Sequence, residues 1–117
     1  MFEPPKYVTG TALNEWKRLL PFMKENEFDK EQYLMPYTNY CIAVKHYEES
    51  IELINDLGLT VDGRNESLVK NPAFTTLKES SEQIARASRA FGFTPGDLKR
   101  LNAEIEKEEL PAWAVGL

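Results

Sequence analysis

Between Ile84 and Ala103 the chain sets four basic residues, Arg86, Arg89, Lys99 and Arg100, against one acid, Asp97. The local charge is +3 in a molecule of net charge −5. Such a cluster can meet phosphates, because nucleic-acid binding needs a local basic patch and not a basic chain. Thr94-Pro95 reads as a helix start, and the unpaired backbone donors there offer one more phosphate contact. Base reading would fall to the residues just after it, and Gly96 and Asp97 are weak candidates for that task. A second reading stays open, a plain helical hairpin whose charges are solvated and meet nothing.

Other chemistry is sparse. The single histidine, His46, stands beside Lys45 on the side of a helix that faces solvent, and the single cysteine, Cys41, reads as a small core residue. No Cys/His group has the spacing of a metal site, and no cofactor is expected. Gly58 to Gly63 has the glycine spacing of a phosphate loop, but Arg64-Asn65 follows where that motif needs Lys and Ser or Thr. Asn65-Glu66-Ser67 is a chance glycosylation acceptor. Nothing in the pattern supports an enzyme.

The elements that must position the basic residues are helical. A chain of 117 residues is expected to form one domain, and 42% apolar with 28% charged residues is an ordinary balance for a globular fold. Residues 1–10 read as an extended arm without a core, 11–103 as the helical core, and 104–117 as an acidic tail. A first helix opens at Thr11 and runs to about Asn26. Leu13, Trp16, Leu20 and Met23 line it, Trp16 serves as a core anchor, and Pro21 bends it or ends it early.

The long helix spans 29–58, with Asp29 as N-cap, Gln32 as its capping-box partner and Gly58 as C-cap. Pro36 implies either a kink near Tyr33–Tyr37 or a regular helix that begins at Pro36. A hairpin or an ordered loop follows, with short β-type runs around Asp62-Gly63. Asn71-Pro72 opens a third helix to Gly92, expected to pair antiparallel with the long one. Thr94-Pro95 opens a fourth. Ser88, Gly92, Phe93, Leu98 and Leu101 are placed as in a helix-turn-helix, with Ser88 where the two helices cross.

Tyr33, Tyr37, Tyr40, Val44, Tyr47, Ile51 and Ile54 form one stripe on the long helix, and Leu34, Cys41, Leu53 and Leu57 form a second line beside it. Four helices have limited capacity to cover both. Tyr37, Tyr40, Tyr47 and Ile51 are therefore expected to contribute to a subunit interface, for which tyrosine is well suited. Trp113 and Val115, in the tail, read as a partner-docking peptide. No apolar run approaches the roughly 20 residues of a membrane span, and MFEPPKYVTG lacks the apolar core of a signal peptide, so a cytoplasmic, membrane-free protein is expected.

The order of these features resembles the small terminase subunits of tailed bacteriophages and prophages, in their short all-helical family. The resemblance covers residues 4–103. It rests on Pro4-Pro5, Glu15-Trp16-Lys17-Arg18-Leu19, the long helix from Asp29, Gly58-Leu59-Thr60, Lys70-Asn71-Pro72-Ala73, Gly92-Phe93-Thr94-Pro95 and Leu98-Lys99-Arg100-Leu101. It implies a non-catalytic packaging component in the host bacterial cytoplasm. Such a component forms a homo-oligomeric ring, binds phage DNA and presents it to the large terminase subunit, which carries the ATPase and nuclease. Pro36 and the tyrosine stripe depart from the family's usual long helix. The resemblance supplies no DNA-contacting positions, so Arg86, Arg89, Thr94, Lys99 and Arg100 rest on the residues alone. From other classes come a dimeric helix-turn-helix transcriptional regulator and, further off, a structural adaptor without nucleic acid.

Overall fold

A computed structural model describes residues 1–109, apart from the side chains of Glu66, Glu108 and Glu109. It contains α1 (Thr11–Glu25), a single 3-10 turn (Glu31–Tyr33), α2 (Leu34–Leu57), β1 (Thr60–Asp62), β2 (Leu68–Lys70), α3 (Ala73–Phe91) and α4 (Pro95–Glu109). The all-α class with a small β-hairpin is as the sequence indicates. Residue contacts group into two compact units, Met1–Ile84 and Ala85–Leu117.

In the first unit α1 packs antiparallel against α2. Tyr37 donates its hydroxyl to the Trp16 carbonyl at 2.7 Å, Tyr40 donates to Glu15 at 3.2 Å, and Thr11 donates to Glu48 at 3.0 Å, so rising positions on α2 meet falling positions on α1. Trp16, Met23, Tyr37 and Cys41 are buried. The rings of Trp16 and Tyr37 lie 4.5 Å apart at 52°, an offset, tilted contact that adds to the area they bury. Truncating Trp16 to alanine at such a site costs about 3–5 kcal/mol.

Several local expectations change for physical reasons. The arm is not without a core: Phe2 stacks against Trp16 and Tyr37 at 5.2 and 5.7 Å, and Val8 is buried. α1 continues through Pro21. It stops in a Schellman arrangement, with Phe28 N–H donating to Met23 and Glu27 N–H to Lys24, and with Glu27 in the left-handed conformation at φ 60°. Asp29 is not the cap of α2. The regular helix starts at Leu34 after the 3-10 turn, and neither segment has a side-chain N-cap. Pro36 therefore falls in the first turn, where a missing amide hydrogen breaks no intrahelical bond, and no kink is needed.

Gly58 does close α2, at φ 88° and ψ −174°, a conformation open essentially to glycine. The hairpin pairs Thr60 with Lys70, Val61 with Val69 and Asp62 with Leu68, and its loop is longer than a two-residue turn. Gly63 donates to the Ser67 carbonyl around a 3-10 turn that holds Asn65 at φ 57°. Asn71, 3% exposed, is the clasp after the hairpin. Its side chain donates to the Gly58 carbonyl at the end of α2 and accepts from Ala73 N–H at the start of α3. In this unit α1 is packed along α2, and Asn71 ties the start of α3 to the end of α2.

Thr38 is fully buried on α2, and among the described residues its hydroxyl has no partner. An unsatisfied buried hydroxyl costs about 1–3 kcal/mol. Thr38→Val keeps the shape and removes that cost, so the urea midpoint should rise by the equivalent of about 1 kcal/mol. A lower midpoint would mean that the hydroxyl is hydrogen-bonded.

Candidate nucleic-acid interface

The basic residues belong to the second unit, Arg86 and Arg89 on the end of α3 and Lys99 and Arg100 on α4. Ser88 accepts at its carbonyl from both Gly92 N–H and Phe93 N–H, at 2.8 and 3.1 Å, which ends α3. Gly92 is at φ 74°, and a Cβ there would lie 2.8 Å from the Leu98 Cα. Glycine is required twice over, for its dihedral and for the closeness of α4. Phe91, buried, stacks on Phe93 at 5.5 Å beside this turn.

α4 begins as the sequence indicates, with Thr94 as cap. The Thr94 hydroxyl accepts from Asp97 N–H at 3.1 Å and donates to the Asp97 carboxylate at 2.8 Å, and Ser88 donates to the same carboxylate oxygen at 3.0 Å. Asp97 is held below the usual carboxylate range first by the Thr94 hydrogen bond, then by Ser88, with the charges of Arg100 and Arg89 adding to the shift. Arg100 reaches back from α4 to donate to the Arg89 carbonyl at 2.9 Å, and it pairs with Glu104 at 3.1 Å. A cation on that carbonyl satisfies one of the orphan acceptors at the end of α3.

The five predicted site residues thus divide. Thr94 and Arg100 close the turn: the Thr94 hydroxyl takes the Asp97 N–H, one of the donors at the helix start, and itself donates to the Asp97 carboxylate. Arg86, Arg89 and Lys99 are exposed. Lys99 borders a shallow groove along α4 with Pro95, Leu98, Asn102, Ala103 and Glu106. The sequence showed Ser88 as a small residue where the two helices cross and Asp97 as the one acid of the basic cluster. It did not show that the two are bonded to each other, nor that Arg100 caps the preceding helix.

Elsewhere, two of the four interface residues are already used within the chain. Tyr37 is 0% and Tyr40 7% exposed against α1, so neither has surface left for another subunit. Tyr47 and Ile51 are half-buried. His46 is exposed, and Cys41 is buried with its thiol pushed up to about 12, mainly by burial and then by the nearby Glu15 charge. Trp113 and Val115 lie outside the described residues. Among the described residues, no group of three or more His, Cys, Asp or Glu is placed to hold a metal ion, and no helix is long and apolar enough to cross a membrane.

A family model described as phage terminase, small subunit, matches residues 12–108. The chain belongs to that family. Membership carries a role in phage DNA packaging. The match takes in α1 through nearly all of α4, so parts of both units fall within it. Searches of curated proteins and of solved structures found no match.

Gly92→Ala should destabilise the α3–α4 turn by about 2–4 kcal/mol, combining left-handed strain with the clash at Leu98. Hydrogen-exchange protection of Leu98 and Leu101 reads the effect, and unchanged protection would refute the close approach. The lowered pKa of Asp97 gives the pH sign. Its contribution is complete above the ordinary carboxylate range and is lost as pH falls through the lowered value. Asp97→Asn should flatten that acid limb.

Proposed function

We propose that the chain is a non-catalytic, DNA-binding small terminase subunit that acts as a homo-oligomeric ring in the host cytoplasm and presents phage DNA to the large subunit, where ATP hydrolysis and cleavage reside. The family match carries this reading. The exposure of Arg86, Arg89 and Lys99 on the α3 end and α4 supports the place of the DNA contact.

The contact is with phosphates. The Asp97 carboxylate in the first turn of α4, which accepts from the Thr94 and Ser88 hydroxyls, repels a phosphate there, and Gly96 has no side chain to read a base edge. Arg86, Arg89 and Lys99 supply charge, and Thr94 and Arg100 hold the two helices that carry it. A few phosphate contacts per subunit are weak, and repetition around a ring makes them strong by raising the effective concentration of each next contact. The acidic run Glu104–Glu109 and the tail residues Trp113 and Val115 are the segment proposed to meet the large subunit. Tyr47 and Ile51 remain proposed for the contact between copies.

Replacing Arg86 and Arg89 together with alanine should weaken DNA binding by a similar factor on every sequence tested. The slope of log affinity against log salt should fall in magnitude by about one for each phosphate no longer neutralised, and so by about two per subunit. A salt slope equal to that of the wild type would remove these residues from the interface. A palindromic site bound by a clean dimer would favour a transcriptional regulator instead.

A further inference from the structure

Asp97 is the one acid between Ile84 and Ala103, and the fold gives its carboxylate a fixed place. Oδ2 accepts from the Thr94 hydroxyl at 2.8 Å and from the Ser88 hydroxyl at 3.0 Å, so the α3 end and the cap of α4 both hold it. Among the described residues no ion pair joins it to an arginine. Its charge is held in place without being neutralised by a partner. The two hydroxyls act first in keeping it ionised, and the charges of Arg100 and Arg89 add to them. That attraction is mutual: the same carboxylate lowers the positive potential that these arginines present.

We infer that Asp97 is the affinity-limiting residue of the phosphate contact, keeping weak what a single copy can hold. The inference deepens the proposed function and rests on its placement of DNA at Arg86, Arg89 and Lys99. Asp97 touches no phosphate; it acts through one fixed charge near Arg89. Arg100 is already offset by Glu104 at 3.1 Å. Glu106 lies more than two turns beyond Asp97 on α4, and Glu82 lies one turn before Arg86 on α3. Asp97 is thus the acid that bears on Arg89 across the turn.

The turn alone does not require the charge. Thr94 already takes the Asp97 N–H, and an asparagine oxygen could accept from Thr94 and Ser88 as the carboxylate does. What the acid adds is negative charge, which favours a helix start and opposes a phosphate. With that opposition built in, a lone contact is weak, and DNA is held where several contacts are made at once. The discrimination is between one contact and many, and not between base sequences.

The test uses the full chain and a short duplex of mixed sequence, with affinity measured across a salt series. Asp97→Asn should bind about two- to fivefold more tightly at low salt, the Coulomb effect of removing one charge several ångströms away in a solvent-like dielectric. The gain should shrink above roughly 0.15 M salt, where the screening length is about 8 Å. A merely structural role would change affinity by one factor at every salt concentration. Equal affinity at low salt, or weaker binding by Asp97→Asn, would overturn the inference. Arg86→Ala with Arg89→Ala is measured alongside. If that pair weakens binding while Asp97→Asn changes nothing, this inference falls and the DNA reading stands. If the pair changes nothing, the contact lies elsewhere and both fall. Should Asp97→Asn lose helicity, Gly96→Asp decides, because a Cβ at Gly96 meets nothing within 4 Å. The added acid should weaken binding about two- to fivefold at low salt and fade in the same way, and unchanged binding would overturn the inference.

Discussion

The hydrogen bond from the Tyr37 hydroxyl to the Trp16 carbonyl fixes the register on which the first unit depends. It joins the first turns of α2 to the middle of α1, inside a cluster where Phe2, Trp16 and Tyr37 are in ring contact. Once that point is set, the lengths of the helices decide the rest. α2 has 24 residues and α1 has 15. Thr11, the first residue of α1, meets Glu48, so α2 runs on beyond Glu48 without α1 beside it. At about 1.5 Å per residue the excess in length is roughly 13 Å. The exposed leucines, Leu53 and Leu57, lie on that overhang. Coverage and exposure along one apolar line are thus two consequences of a single anchored pairing.

What could be read from the sequence follows the range of the interaction concerned. Thr94 with Pro95, and Asn71 before α3, were legible because a cap is chosen by residues within a few positions of it, and the bonds from Asp97 N–H and Ala73 N–H are of that kind. Asp29 misled for the same reason: it has the right type but stands before a 3-10 turn, which moves the start of α2 to Leu34. Pro36 looked discordant only while the helix was counted from Asp29. The partner of α2 was not legible. A stripe of tyrosines says that a helix face is covered, but the same spacing serves α1, α3 or another subunit, and the choice is made by contacts more than twenty positions apart, such as Tyr37 with Trp16.

The basic patch shows the same limit. Its charge was visible in the composition of 84–103, whereas the division of labour was not. An arginine eleven residues after a helix carbonyl can return to cap it only if the turn is tight, and the tightness comes from Gly92 lying against Leu98. Counting Arg100 as a phosphate ligand therefore treats as available a guanidinium that already serves a carbonyl and Glu104. The same holds for Thr94, whose hydroxyl both donates to and accepts from Asp97.

That economy bears on how such a surface would hold DNA. With Thr94 and Arg100 engaged in closing the turn, and the Asp97 carboxylate in the first turn of α4, each copy would offer few phosphate contacts and little to distinguish one base from another. Affinity would then come from repetition, because each weak contact is multiplied when copies are held together and the next contact becomes intramolecular. Charge at the α3–α4 turn would then set the salt dependence of each copy, and the number of copies held together would set the apparent affinity, so the two quantities can vary independently.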